Sequence, residues 1–315
     1  MKPQVFIDGG AGTTGLRIRD RLLQRADISL IELPESLRKN PAARKDALNS
    51  ATVAILCLPD TTAREAAAAV TNPNTAIIDA SSAHRVTPGW TYGLPELHGQ
   101  REAIAASKRI TNPGCHASGF IALITPLVSA GILPSSSTLS CLSLTGYSGG
   151  GKQMITQYET PVNQRDPLLA APRAYGLAQN HKHIPEMMAI SGLSTQPAFV
   201  PVVADFYSGM EVTVALPAGA VKATSADIIQ LYSEYYADEP MMHVAPKNRE
   251  AGFLSAATFT GRDDMEISVH GGSTADAPLT LVARFDNLGK GASGAAIQNL
   301  NILLGAKETE GLIHN

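Results

Sequence analysis

The chain carries only three cysteines in 315 residues, Cys57, Cys115 and Cys141, with no CxxC pair and no Cys/His ligand spacing. An odd count without such spacing excludes a disulfide framework and a structural zinc site, so no metal is expected, and it fits a reducing cytoplasm. Excess charge of one sign is also missing. Lys and Arg number 25 against 28 Asp and Glu, the formal net charge is -3, and no block of like charges occurs. That removes the basic footprint of a nucleic-acid binder and any charged binding tail, leaving a small molecule as the expected partner. Long apolar runs are absent from the start of the chain, where Val5, Phe6 and Ile7 form a run too short for a signal peptide or a membrane span. Internal repeats and low-complexity segments are lacking too, while the length exceeds the usual size of one hydrophobic core and predicts two domains.

Among the residues that are present, Cys115 stands out. It lies in TNPGCHASG, residues 111–119, directly before the helical pattern Phe120, Ile121, Leu123, Ile124, Leu127 and Val128. A thiol at a helix N-terminus meets backbone N–H groups and the positive end of the helix dipole, which stabilise a thiolate and an oxyanion forming beside it. Cys141 sits in a strand pattern and Cys57 in an apolar strand, both read as small core residues.

The first third has the alternation of a doubly wound parallel sheet. A strand at residues 5–8 leads into GGAGTTG, residues 9–15, which contains GxGxxG at Gly10, Gly12 and Gly15 and opens a helix at residues 16–23. Strand, glycine turn, helix and a second strand at residues 28–33 suit a pyrophosphate held on a helix N-terminus. Glu32, twenty residues past Gly12, would bind an adenosine ribose and favour NAD, whereas Arg38 and Lys39 would accept a 2′-phosphate, and the residues alone leave this open. Strands at residues 53–58 and 76–79, with a helix at 62–70 between them, continue the pattern. Their ends, Leu58 to Asp60 and Asp79 to Ser82, point to the cofactor crevice. Beyond them His84 and Arg85 offer a fork for a carboxylate or phosphate, or simply form a turn.

From about residue 135 the pattern changes to strands at 139–144, 199–206, 210–216, 266–270 and 279–285 with a covering helix at 225–236, a second α+β domain with a largely antiparallel sheet. Residues 148–172 read as a long loop. Within it, Gly149-Gly150-Gly151-Lys152 lacks the first glycine and the Ser or Thr of a Walker A site. QNHKHIPEM at residues 179–187 supplies His181 and His183 for acid/base work, with Lys182 and Glu186 either surface charges or substrate contacts. Near the end, DNLGKGASG at 286–294 precedes a small-residue helix, either a tightly packed loop and helix or a return to the first domain beside the nicotinamide.

GGAGTTGL at 9–16, DASSAHR at 79–85, YGLPEL at 92–97, NPGC at 112–115, HKHIPE at 181–186 and DNLGKGASG at 286–294 span the chain, and together they resemble the shorter form of the N-acetyl-gamma-glutamyl-phosphate reductases. The resemblance implies an enzyme of arginine biosynthesis that reduces N-acetylglutamyl 5-phosphate to N-acetylglutamate 5-semialdehyde with NADPH through a cysteine thioester. It implies Cys115 as nucleophile, His181 as acid/base, and His84, Arg85, Asn112, His183 and Glu186 as substrate residues. For NADP it implies Gly10, Ala11, Gly12, Thr13, Thr14, Gly15, Leu16, Arg38, Ser81 and Asn287. The corresponding architecture is an α/β chain: a Rossmann-type dinucleotide domain from residues 1–114 and 287–315, and a catalytic, substrate-binding and oligomerisation domain from 115–286. The implied assembly is a homodimer or homotetramer without nucleic acid or membrane. Aspartate-semialdehyde dehydrogenase, which shares the chemistry, is the related alternative.

Overall fold

The computed structural model describes residues 2–245, 250 and 252–314. The chain divides into two compact units, one running to Gly114 and resuming at Ala292–Leu312, the other comprising Cys115–Gly291 with the last residues.

In the first unit the elements are β1 (Gln4–Asp8), α1 (Thr13–Leu22), β2 (Ser29–Ile31), α2 (Pro41–Ser50), β3 (Val53–Leu56), α3 (Asp60–Ala69), β4 (Ala76–Asp79), β5 (Thr91–Tyr92), α4 (Gln100–Ala106) and β6 (Arg109–Thr111), followed after the excursion by a C-terminal helix, Gly294–Leu304. The strands form one parallel sheet in the order β2-β1-β3-β4-β6-β5. Alternate residues point to opposite faces. Val5, Val53, Ile55, Ile78 and Ile110 pack with Ile18 and Leu22 of α1 and with Ile297 and Leu300 of the C-terminal helix. Phe6, Ala54, Leu56 and Ile77 pack with Ala47 and Leu48 of α2 and Ala66 of α3. Each fully buried branched side chain contributes about 1.5–3 kcal/mol, more than the ~1 kcal/mol span of strand propensity, so two-sided burial holds these short strands.

The chain leaves β1 in one direction and returns to the sheet on its other side at β3, which makes the carboxyl ends of β1 and β3 the switch point where ligands bind. Gly9 stands there with φ +86°, and a β-carbon on it would lie 2.2 Å from the Cys57 carbonyl oxygen. Only glycine satisfies both conditions.

The second unit holds α5 (Cys115–Ser129), β7 (Ser140–Gly146), α6 (Gly151–Glu159), β8 (Arg173–Ala174), α7 (Ile184–Ser191), β9 (Ala198–Ala204), β10 (Met210–Leu216), α8 (Ser225–Tyr235), β11 (Met242–Val244), β12 (Met265–Gly271) and β13 (Leu279–Phe285). The sheet order is β11-β12-β13-β10-β7-β9-β8. Four of its neighbour pairs are antiparallel, while β11 with β12 and β7 with β9 run parallel. The largely antiparallel expectation therefore meets a mixed sheet, because α7 and its flanking loops carry the chain back so that β9 runs parallel to β7.

Helix α5 is buried along nearly its whole length. Gly119 lets it lie against β10, since a β-carbon there would stand 2.7 Å from Val212 Cγ2. Pro126 interrupts the helix from within and cannot donate to the Ala122 carbonyl. Tyr236, just past α8, does so instead, its hydroxyl donating to Ala122 O at 2.7 Å. The segment expected as a loop over 148–172 contains α6, whose Tyr158 is buried with Leu169 and Val203. Its glycine-rich start and single anchoring aromatic conceal the helical period. No helix among the described residues is long and apolar enough to cross a membrane.

Candidate active site

Cys115 is the first residue of the fifteen-residue α5, where Pro113 and Gly114 separate the helix from β6. The first N–H groups of a helix have no intrahelical acceptor, so this is where a thiolate and a developing oxyanion are stabilised. The tight turn Gly289–Ser293 presses on the same residue: a β-carbon on Gly291 would stand 2.8 Å from that of Cys115. Asp286, fully buried, pins this turn by accepting from Gly289 N and Gly291 N through its main-chain oxygen, each at 3.0 Å, and from Leu288 N at 2.8 Å through its carboxylate. Cys57 is a poor rival, since burial first, then the charges of Asp79 and Asp8, pushes its thiol up to about 12. Burial pushes Cys141 further still. None of the three cysteines forms a disulfide.

Around the helix start lies a cluster of imidazoles. The rings of His116, His181 and His183 stand 5.7 Å (116–181), 5.5 Å (116–183) and 4.7 Å (181–183) apart between centroids. His116 bonds through Nδ1 to Ser143 Oγ at 2.7 Å and through Nε2 to the Tyr175 hydroxyl at 2.8 Å. Burial first, then the charge of His181, lowers His116 to about 3, so this ring is neutral at working pH. Burial likewise pushes the Tyr175 phenol up, and the Cys115 thiol adds to that shift, which places Tyr175 within electrostatic reach of Cys115.

His181 accepts a hydrogen bond at Nδ1 from the backbone N–H of His183, at 3.2 Å. A neutral ring accepting at Nδ1 carries its proton on Nε2, so His181 presents an Nε2–H donor. The loop that carries it is held by Gln179, a non-glycine residue at φ +56° whose amide donates to Phe199 O at 2.8 Å and accepts from Phe199 N at 2.9 Å. A left-handed residue fixed in this way is a mark of a constrained site. His183 and Glu186 are both buried, with His183 Nε2 4.0 Å from Glu186 Oε1.

The first unit carries the glycine loop and the remaining expected residues except Asn287. Gly9 O accepts from Gly12 N at 3.1 Å, and α1 opens after Gly12 with no side chain capping it. A β-carbon on Gly15 would lie 2.6 Å from Gly9 O, whereas on Gly12 the nearest atom would be 3.6 Å away. The loop thus has two positions where only glycine fits the fold, Gly9 and Gly15, and two open positions, Gly10 and Gly12. Ala11, Thr13 and Thr14 line the same turn, Leu16 is half exposed behind it, and Arg38 is exposed beyond β2.

Ser81 and His84 belong to a turn organised by Asp79. Its carboxylate accepts from Ser81 N at 2.9 Å and Ser81 Oγ at 2.8 Å, and it lies 2.6 Å from His84 Nδ1. The His84 ring also stacks on Trp90 at 4.0 Å. Arg85 is buried beside this turn, and Asn112 donates to Ala292 O at 2.9 Å. Asn287 lies in the second unit, its side chain accepting from Gly209 N at 2.9 Å and donating to Ser148 Oγ at 3.1 Å. That commits its amide and leaves its main chain for any ligand. Residues 287–291 lie with the second unit, because Asp286 and Asn287 anchor them there, and the return begins at Ala292.

Sequence reasoning missed His116 and Tyr175. His116 had a signal, its place one residue after the thiol on the first helical turn, whereas Tyr175, which directly follows the two-residue strand β8, had none.

A Rossmann-type sheet with a glycine loop, joined to a mixed-sheet unit with a thiol at the head of its central helix, defines a class: the nicotinamide-dependent dehydrogenases that act through a cysteine. Family models described as "Semialdehyde dehydrogenase, NAD binding domain" and "Semialdehyde dehydrogenase, dimerisation domain" match residues 32–107 and 115–287. The fold is shared with aspartate semialdehyde dehydrogenase II of Vibrio cholerae, with a TM-score of 0.74, 17% identity and coverage of 97% and 99% of the two chains. "N-acetyl-gamma-glutamyl-phosphate reductase 2" of Nostoc sp. is 46% identical over 99% of both chains. Its namesake in Pseudomonas putida is 45% identical over 98% of this chain and 99% of that one. The chain belongs to the N-acetyl-gamma-glutamyl-phosphate reductase family, an oxidoreductase family of semialdehyde dehydrogenase fold.

Proposed function

We propose that the chain catalyses NADPH-dependent reductive dephosphorylation of N-acetylglutamyl 5-phosphate to N-acetylglutamate 5-semialdehyde in arginine biosynthesis. The observation that carries this reading is the thiol at the first position of α5, one residue before His116, whose ring touches both imidazoles of the HKHIPE loop. The glycine loop fits a dinucleotide: its two forced glycines bring the backbone into a tight turn, and the uncapped start of α1 suits a pyrophosphate. Gly10 to Leu16 hold it, with Ser81, Arg38 and the main chain of Asn287 assigned to the same cofactor.

The Cys115 thiolate attacks the acyl carbon; the S–C bond forms and the C–O bond to phosphate breaks, releasing phosphate. When bound, the nicotinamide supplies the hydride that reduces the resulting thioester. The oxyanion left on the Cys115 adduct re-forms its C=O bond, the C–S bond breaks, and the aldehyde leaves with the thiolate restored. His181, through Nε2–H, donates to the oxygen that gains charge in each addition, and the head of α5 supplies backbone donors. Each well-placed donor contributes about 3–4 kcal/mol. His183 and Glu186 position the substrate, and His84, Arg85 and Asn112 are assigned to it by their motifs. A working thiolate needs a reducing compartment, which we take to be the cytoplasm, and the dimerisation unit assembles the enzyme as a homodimer or homotetramer.

The test is phosphate-dependent reduction of NADP by N-acetylglutamate semialdehyde, with aspartate semialdehyde and Cys115→Ser run in parallel. Activity on the acetylated aldehyde, falling at least about 10³-fold in the serine variant, supports the proposal. Preference for aspartate semialdehyde overturns it.

A further inference from the structure

Two acids stand at the carboxyl ends of adjacent strands in the nucleotide-binding unit. Asp8 is the last residue of β1, and Glu32 follows β2 directly. An acid at the end of the second strand ordinarily takes the ribose hydroxyls of NAD and repels the extra phosphate of NADP. Here each acid is held by an arginine from a helix. Arg44 of α2 donates to Asp8 from Nε at 3.1 and 3.2 Å and from Nη2 at 2.8 Å. Arg19 of α1 donates to Glu32 Oε1 from Nε at 2.9 Å and Nη2 at 2.7 Å.

We infer that Arg19 reads the 2′-phosphate of the adenosine ribose and that Glu32 serves to orient its guanidinium, so this pair sets the cofactor preference. The inference rests on the NADP reading above and adds the residue that decides it. Glu32 occupies one edge of the planar fork, whereas Nη1 on the other side comes no nearer to a carboxylate than 3.7 Å, at Asp20. That edge keeps its donors for a phosphate oxygen, and a guanidinium matches phosphate in geometry as well as charge. Compensation by Arg19 and Arg44 makes a two-acid strand edge compatible with a dianion, which neither the Glu32 position nor Arg38 explains alone. The competing role, Glu32 as ribose ligand through Oε2, makes the opposite prediction for its own substitution.

Adenosine 2′,5′-bisphosphate and adenosine 5′-phosphate are titrated by calorimetry into the full chain, unaltered and as Arg19→Ala and Glu32→Gln. The pair is largely exposed, at 37% and 52% of the side chains, and contributes little to folding. The expected result is that Arg19→Ala weakens the bisphosphate about 10- to 100-fold and leaves the monophosphate within about twofold, while Glu32→Gln leaves the monophosphate unchanged. The inference is overturned if Arg19→Ala affects the two nucleotides alike, or if Glu32→Gln weakens the monophosphate as loss of a ribose ligand would. Binding of neither nucleotide by the unaltered chain removes the cofactor reading itself, and this inference with it.

Discussion

His116 shows how burial assigns roles within one cluster. Three imidazoles lie within ring-contact distance, yet His116 is lowered to about 3 by burial first and by His181 second, and both its nitrogens are engaged by Ser143 and Tyr175. It acts on the reaction only through what it positions. Its cost falls on acid stability. The folded state keeps this ring neutral down to about 3, whereas an unfolded histidine protonates near 6.5. Between those values the unfolded chain binds the extra proton, so the stabilisation is complete above the unfolded value and is lost as pH falls through the window. One proton difference corresponds to about 1.4 kcal/mol per pH unit. Urea unfolding of the unaltered chain and of His116→Gln between pH 7 and pH 4 should show a shallower pH slope in the variant, by up to about that amount. Parallel slopes would mean that the ring protonates in the folded state as freely as outside it.

The same tension between fold and chemistry appears in the elements, where the glycine loop separates glycines needed for folding from those kept for the ligand. Gly9 has φ +86° and a carbonyl 2.2 Å from its missing β-carbon, whereas Gly12 has an extended backbone and its nearest neighbour at 3.6 Å. Gly9→Ala should therefore lower stability by about 2 kcal/mol or more. Gly12→Ala should leave the thermal midpoint nearly unchanged and weaken adenosine 2′,5′-bisphosphate or NADP binding about tenfold or more, because its methyl group occupies the face a pyrophosphate approaches. Calorimetric scanning and titration of both variants check this, and equal stability losses would dissolve the distinction. The GxGxxG pattern named Gly10, Gly12 and Gly15 without revealing that Gly9 bears the strain, since a spacing rule carries no information about which carbonyl lies across the switch point. Parallel strands were legible because burial on both faces leaves continuous apolar runs such as residues 53–56 and 76–78. Helices α2 and α6 were not, as each buries only one or two side chains. Parallel pairing of β9 with β7 depends on a crossover through α7 that no local pattern encodes. At the site, the motifs picked out Cys115, His181, His183 and Glu186, all of which lie in the second unit, while the Ser143 and Tyr175 contacts of His116 exist only once sheet and helix are packed.

At the scale of the whole molecule, the sheet of the second unit presents a problem that a second copy would solve. Helices α5 and α8 cover one face. On the other, Leu142 sits in β7, a strand paired on both sides, opposite Thr213 of β10 and Val200 of β9, and is 43% exposed. Ala198 and Ala215 are exposed on the same face, and Glu211, in register with Arg284, and the Arg284–Glu266 ion pair lie further along it. A leucine in the middle of a sheet costs solvation free energy in a monomer and returns about 1.5–3 kcal/mol if covered. In the proposed assembly a two-fold axis would bring this patch against its own copy, so one substitution would be felt twice. Leu142→Asp would place two carboxylates in the interface, a change that leaves the strand pairing of each protomer intact because the side chain already reaches solvent. Light scattering coupled to gel filtration should show a dimer or tetramer for the unaltered chain and loss of at least one interface in the variant, with the circular dichroism spectrum retained. A variant of unchanged mass would move the interface off this face, and an unaltered chain that is monomeric at micromolar concentration would remove the proposed assembly altogether.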